Sequence, residues 1–391
     1  MNFSLQVILL GLSALIFFSI ILSKFTARLG VPTLVAFLGL GLLFGNGGAY
    51  DFHYDFPEFT LRFGQIALAI ILFNGGLNTN YQQVKPIIPQ SLSLSTLGVM
   101  LTTFICGTIL YTFSEFSYIQ ALLLGAIISS TDAAAVFSII EAKQLKLSGN
   151  TMPILEVESG TNDPMAYFLV ISLSQLILTQ EFIWYQFIWS LTYNLTLGIG
   201  IGFLMGWAII GSMKLIKLKT GLNPVMIIAL VLFTFALAEL VNANSLLAVY
   251  TAGIVFTRHP LRCTYSASFF EGVAWLMEIL LFLALGLQVF LQELPAVILL
   301  GLAISAILIL IARPISVLIS LSFFKINWNE KLYIAWVGLR GATPIVFALY
   351  PIIYQVPEAR LMFNLTFFVV LTSILIQGSS ITLVAKALKI N

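Results

Sequence analysis

Long apolar stretches separated by short polar breaks run the length of the chain, and most approach the roughly 20 residues that a helix needs to cross a bilayer. The pattern predicts helices near 5–22, 31–47, 60–77, 89–112, 118–140, 154–178 and 187–213, then near 223–241, 244–257, 267–289, 295–323, 332–350 and 362–385. The first stretch has no basic segment ahead of it and no small-residue cleavage site, and Lys24 and Arg28 follow it, so it reads as a retained helix rather than a signal peptide.

Composition agrees with this reading. Hydrophobic residues make up 60% of the 391 and charged residues only 9%, against roughly 25% charged in a soluble domain. The fold class is therefore an all-α polytopic membrane protein with 13 transmembrane helices. The last span ends close to Asn391, so no soluble C-terminal domain is expected. Cys106 and Cys263 are far apart, and His53 and His259 sit in connecting segments, so neither a disulfide framework nor a metal site is indicated and no cofactor is expected. A net charge of +2 without a basic tract excludes nucleic acid as a partner.

Charge orders the loops. Alternate loops carry Lys24 and Arg28; Lys85; Lys143 and Lys146; Lys214, Lys217 and Lys219; Arg258 and Arg262; Lys325 and Lys331; and finally Lys386 and Lys389. The opposite set holds only Arg62 and Arg360, among Asp51, Asp55, Glu58, Glu115, Glu181, Glu293 and Glu358. By the positive-inside rule the N-terminus lies outside and the C-terminus in the cytoplasm of the cell (inner) membrane.

With thirteen spans, helix 1 runs inward and helix 8 outward, so six plus six helices about a linker helix form an inverted repeat, an arrangement that secondary transporters use around a midplane site. Helices 5 and 12 are each fifth in their half. Both are interrupted near mid-membrane, the first by Ser129-Ser130-Thr131-Asp132 and the second by Gly338-Leu339-Arg340-Gly341-Ala342-Thr343-Pro344. Two discontinuous, crossing helices are expected, with Asp132 and Arg340 compensating the partial charges of the broken ends. Both residues fit a purely structural role as well as a ligating one.

Helix 6 carries Glu158-Ser159-Gly160-Thr161-Asn162-Asp163. Asp163 lies some nine residues from the cytoplasmic end, roughly 13 Å at 1.5 Å per residue, near the bilayer centre. Carboxylates there are costly and mark function. Ser159 is one turn before Asp163 and shares its face; Glu158 and Asn162 share another, so Asn162 is expected to bond Glu158, and Glu158 to pair with Arg313 of helix 11. A lone desolvated carboxylate holds either a proton or a small cation, and competition for it is antiport. Thr131 and Ser159 hydroxyls, with backbone carbonyls of the helix 5 break, are expected to complete an oxygen shell for K+, Na+ or Li+. One free acid, with Asn162 where a second acid could stand, implies electroneutral exchange. Glu156, two turns below Asp163, is a candidate cation funnel, although an ordinary solvated carboxylate fits it as well.

Ser129-Ser-Thr131-Asp132-Ala-Ala-Ala-Val-Phe137, Glu158-Ser-Gly-Thr-Asn162-Asp163-Pro-Met-Ala166, Ala312-Arg313-Pro314 and Gly338-Leu-Arg340-Gly341-Ala-Thr-Pro344 resemble, in order and spacing, the NhaP branch of monovalent cation:proton antiporters. The match is nearest to the bacterial K+/H+ antiporter subgroup. The resemblance implies that Asp163 binds ion and proton, that Asn162 beside it goes with electroneutral exchange, and that Glu158 and Arg313 pair. It also implies a homodimer. Helices 1–3 and 8–10 (about 1–85 and 220–290) would form the dimer domain, helices 4–6 and 11–13 (about 86–180 and 295–391) an elevator-like core, and 181–219 the linker. Members of the subgroup usually carry a cytoplasmic regulatory domain, which is not expected here.

Other classes fit less well. A cation channel wants ligands repeated around a pore rather than one carboxylate beside an arginine. An intramembrane protease at Ser159 or at an aspartyl pair lacks a catalytic base, so an enzyme is not expected. Glu239 and Glu278 read as acids deep in dimer-domain helices without a transport role, and Trp184, Trp189, Trp328 and Trp336 as interfacial anchors.

Overall fold

The computed structural model describes residues 5–29, 33–49, 53–132, 136, 140, 145, 147, 149–181, 183–216, 221–257 and 264–390. Ala133–Ala135 and Phe137 of the first interrupted motif, and Lys143, Lys146, Lys217, Lys219, Arg258, His259, Arg262 and Cys263, lie outside them. Among the described residues every regular element is helical. They are α1 (Leu5–Leu29), α2 (Thr33–Phe44), α3 (Pro57–Asn78), α4 (Gln82–Phe113), α5 (Tyr118–Ile127), α6 (Thr151–Thr179) and α7 (Trp184–Ile216). There follow α8 (Leu222–Leu240), α9 (Ser245–Thr257), α10 (Thr264–Gln288), α11 (Leu291–Ser320), α12 (Trp328–Trp336), α13 (Ala342–Ile353) and α14 (Ala359–Ala387). Seven helices of the described residues are long and apolar enough to cross a membrane.

Local chemistry accounts for several boundaries. Pro57 opens α3 where its missing N–H costs nothing, with Glu58 in the first turn. Ser117 and Gln120 form a reciprocal capping box at the start of α5. α1 continues to Leu29, so Lys24 and Arg28 lie in its last turns rather than in a loop. The span expected over 118–140 stops being helical at Ile128. The one expected over 332–350 is two helices, α12 and α13, separated by residues 337–341. Thr343 and Pro344, expected in that break, instead lie in the first turn of α13, the part of a helix that tolerates proline.

Small residues let backbones approach, which is how helices associate without a hydrophobic drive between them. A Cβ at Gly253 of α9 would lie 2.6 Å from the carbonyl oxygen of Phe73 in α3, and one at Gly76 of α3 would lie 2.5 Å from that of Tyr250 in α9. Helices α4, α11 and α14 each contain one π turn, at Leu94–Gly98, Leu308–Ala312 and Ile374–Gly378. Trp184, Trp189 and Trp328 are exposed, but Trp336 is half-buried and donates through Nε1 to Ser380 Oγ at 2.9 Å. It is a packing residue at the lip of the break rather than a surface anchor.

Candidate functional site

The two non-helical stretches touch. The amide of Asp132 donates to the carbonyl of Leu339 at 2.8 Å. Ending α5 in the interior strands its last carbonyls away from water, and unpaired backbone groups there are expensive. Arg340 meets two of the carbonyls that follow the end of α5: its Nη1 donates to Ser129 O at 2.6 Å and to Ser130 O at 2.7 Å. At the other broken end, Gln377 of α14 donates through Nε2 to the carbonyl of Trp336, the last residue of α12, at 2.6 Å. The Asp132 carboxylate lies against Gly341, the residue that precedes α13, where any side chain would run into it. A negative group thus stands at a helix N-terminus and a positive one at a C-terminus, as the backbone dipoles favour.

Asp163 of α6 faces this contact. Its Oδ1 accepts from Ser130 Oγ, and its Oδ2 accepts from Thr343 Oγ1 at 3.1 Å. Each interrupted helix therefore sends one hydroxyl to the same buried carboxylate, which is 5% exposed. A cavity of about 290 Å³ reaches Asp163 from the side of α6's Thr151 end, lined among others by Asp132, Glu156, Ser159, Glu271 and Glu278.

Glu158 and Arg313 lie behind the site, 1% and 2% exposed, with Arg313 Nη2 2.6 Å from Glu158 Oε1. Gly338, in the second break, packs against this guanidinium: a Cβ there would lie 2.8 Å from Arg313 Nε. The ion pair thereby braces the break as well as α6.

The structure differs from expectation at Asn162 and Glu239, and shows what else engages Thr131 and Ser159. Asn162 does not bond Glu158; its Nδ2 donates to Thr131 Oγ1 at 2.5 Å, because the approach of the break toward α6 offers a nearer acceptor. Ser159 donates to the Thr131 carbonyl at 2.8 Å, so Thr131 and Ser159 tie the break to α6. The carbonyls of the break proposed as ion ligands are also engaged, two by Arg340 and one by Ser159. Of the two acids expected deep in helices, Glu278 lies midway along α10 and lines the cavity beside Asp163, whereas Glu239 sits one residue from the end of α8.

The arrangement of a buried carboxylate, two touching non-helical stretches and a buried ion pair is set in a chain whose residues 13–387 match the family described as sodium/hydrogen exchanger, transmembrane. The chain belongs to that family. It is 37% identical over 380 residues to the K(+)/H(+) antiporter NhaP2 of Shewanella sp. (strain MR-4), spanning 95% of this chain and 65% of that protein. With the K(+)/H(+) antiporter NhaP of Alkalimonas amylolytica it shares 36% over 388 residues, 99% of this chain and 67% of that one. Its fold matches that of the sodium proton antiporter MjNhaP1 from Methanocaldococcus jannaschii at pH 8, with a TM-score of 0.84 at 21% identity over 98% of this chain and 99% of that one.

Within this exchanger fold, sequence reasoning missed the two hydroxyls that reach Asp163. Ser130 and Thr343 were legible only as members of the polar breaks, with nothing in their spacing to single them out. Glu271, two turns into α10 and on the cavity wall, was unmarked as well, since nothing in the sequence around it distinguishes it from a solvated acid.

Proposed function

We propose that this chain is the membrane domain of an antiporter that exchanges a monovalent cation, K+ or Na+, for H+ across the cell inner membrane. The observation that carries the reading is the paired donation of Ser130 and Thr343 to Asp163 at the head of a cavity. A hydroxyl has one hydrogen to give and two lone pairs to offer. Facing a bare carboxylate, Ser130 and Thr343 donate; facing a cation held by that carboxylate, the same oxygens turn their lone pairs to the ion and become ligands. The site therefore serves either occupant without rebuilding the backbone. Hard monovalent cations favour such oxygen donors.

Occupancy by a proton or a cation, never both, makes the exchange one for one and electroneutral. Asn162 supports this, since an amide committed to Thr131 carries no second proton. Asp163, which the sequence marks, forms the primary shell with Ser130 and Thr343, which it does not; Ser159, Thr131 and Asn162, expected around the ion, instead hold the break that carries Ser130. Glu156, half-buried on the cavity wall, draws cations toward Asp163.

Motion follows from the repeat. Thirteen spans arranged as six plus six, with α7 as linker, explain why α4 and α11, fourth in their halves, each contain a π turn, and why α5 and the α12–α13 pair are both interrupted. In that frame α4–α6 and α11–α14 form a core that carries the ion, elevator-fashion, past a dimer-forming scaffold of α1–α3 and α8–α10. The N-terminus is outside, and the cavity that reaches Asp163 opens to the cytoplasm. The K(+)/H(+) names of the relatives favour potassium among the cations. Purified protein in liposomes, with a pH gradient collapsed by K+, Na+ or Li+ in turn, tests the activity; no collapse with any of them removes the reading.

A further inference from the structure

Two cavities approach the middle of the protein from opposite ends, and what separates them is small. One is the 290 Å³ cavity at Asp163. The other, about 960 Å³, is lined by Tyr167, Gln65, Glu239, Tyr350 and Thr179 among others, toward the far end of α6. Between them Tyr167, Val346, Phe347, Tyr350, Leu68 and Leu246 enclose only about 10 Å³, room for one water at most. The Tyr167 ring lies tilted against Phe347, centroids 5.9 Å apart, and edge-on to Tyr350 at 5.5 Å, and all three are buried.

This aromatic plug is pinned by polar contacts. Tyr167 OH of α6 donates to Glu239 Oε1 of α8 at 3.1 Å, and Ser245 of α9 donates to the same oxygen at 2.5 Å. Gln65 Nε2 of α3 donates to Tyr350 OH of α13 at 2.7 Å. At the same level α3 and α13 come together with no room to spare: a Cβ at Gly64 would lie 3.1 Å from both Cγ atoms of Val346.

We propose that Glu239 and Gln65 are the gate-holding residues on the outer side, latching Tyr167 and Tyr350 across the path from Asp163 to the outside. Each latch joins a scaffold helix to a core helix, so the pair breaks when the core moves and re-forms when it returns. The two tyrosines donate to and accept from the scaffold through single hydroxyls, which exchange with water in the large outer cavity once the plug parts. Glu239 and Gln65 are thus positioning residues: they set how readily the site opens outward, and leave the chemistry at Asp163 alone. The inference rests on the proposed antiport and its topology.

The test is a disulfide that holds the latch shut. Gly64→Cys with Val346→Cys, in a Cys106→Ala, Cys263→Ser background, places the thiols where chains already touch, and a disulfide spans Cβ atoms about 3.5–4.5 Å apart. Oxidation is expected to bring cation/proton exchange in liposomes down to background and dithiothreitol to restore it, with each single cysteine unaffected. Exchange that persists with the disulfide formed overturns the gate, as does failure of the disulfide to form in folded protein. Exchange absent from the unmodified protein instead counts against the antiport reading. Should the double variant not fold, Glu239→Gln with Tyr167→Phe is measured: the ratio of external to internal cation KM is expected to shift about fivefold or more. An unchanged ratio overturns the proposal.

Discussion

Arg340 reaches from one non-helical stretch to Ser130 of the other: its Nη1 sits 2.7 Å from the carbonyl of the residue whose hydroxyl donates to Asp163. One guanidinium thus positions the backbone from which the hydroxyl that meets Asp163 projects. Arg340→Gln removes charge-assisted hydrogen bonds worth about 1.5–3 kcal/mol each and frees the break. Lower thermal stability together with a loss of exchange is expected, and Arg340→Lys, which keeps the charge, should recover part of the stability. Stability unchanged in Arg340→Gln would mean that water replaces the cap without loss.

Asp163→Asn should abolish exchange in liposomes while gel filtration and thermal unfolding stay close to those of the parent. An amide of the same shape still meets the Ser130 and Thr343 hydroxyls but neither loses a proton nor balances a cation. Residual exchange in this variant would move the ion site elsewhere.

Thr343→Val and Ser130→Ala should each raise the apparent cation KM about five- to tenfold, the worth of one hydrogen-bonding oxygen. Thr131→Val should act more on stability, since Thr131 Oγ1 accepts from Asn162 rather than facing Asp163. A larger KM effect at Thr131 than at Thr343 would restore Thr131 to the ion shell.

The buried pair of Glu158 and Arg313 calls for a double-mutant cycle. Glu158→Ala leaves an uncompensated guanidinium at 2% exposure, and breaking such a pair costs about 3–5 kcal/mol. Adding Arg313→Leu should recover much of that. A coupling below about 0.5 kcal/mol would show that the two residues do not depend on each other.

The proposed competition at one carboxylate predicts the sign of the pH dependence. As pH falls, protons displace the cation, so the apparent cation KM should rise by about tenfold per unit once protonation dominates. At high pH KM should level off, and the rate should then fall because protons, the counter-substrate, are scarce. A KM independent of pH over this range would exclude a shared site.

How much of this was legible in the chain can be judged residue by residue. Apolar stretches located the helices, because a bilayer demands long runs of one polarity and internal pairing of every backbone group, but several ends moved: α1 runs on to Leu29, α4 begins at Gln82, and α5 stops at Ile127. The breaks at 128–132 and 337–341 were visible in polar, glycine and arginine residues at bilayer depth. Thr343 and Pro344 misled, because residues that interrupt a helix also serve to start one. Asn162 misled differently: sharing a face with Glu158 said that the two could meet, not that either would prefer the other.

The sequence by itself determined the solvent the protein lives in, the places where its helices fail, and the carboxylate within an apolar helix, since each follows from local composition measured against a bilayer. Only the tertiary structure decided who meets Asp163. Ser130 and Thr343 stand 33 and 180 positions from it in the chain, and helical periodicity reaches no further than the next turn. Which hydroxyl arrives depends on how separate helices cross, and that is set by packing across the whole molecule.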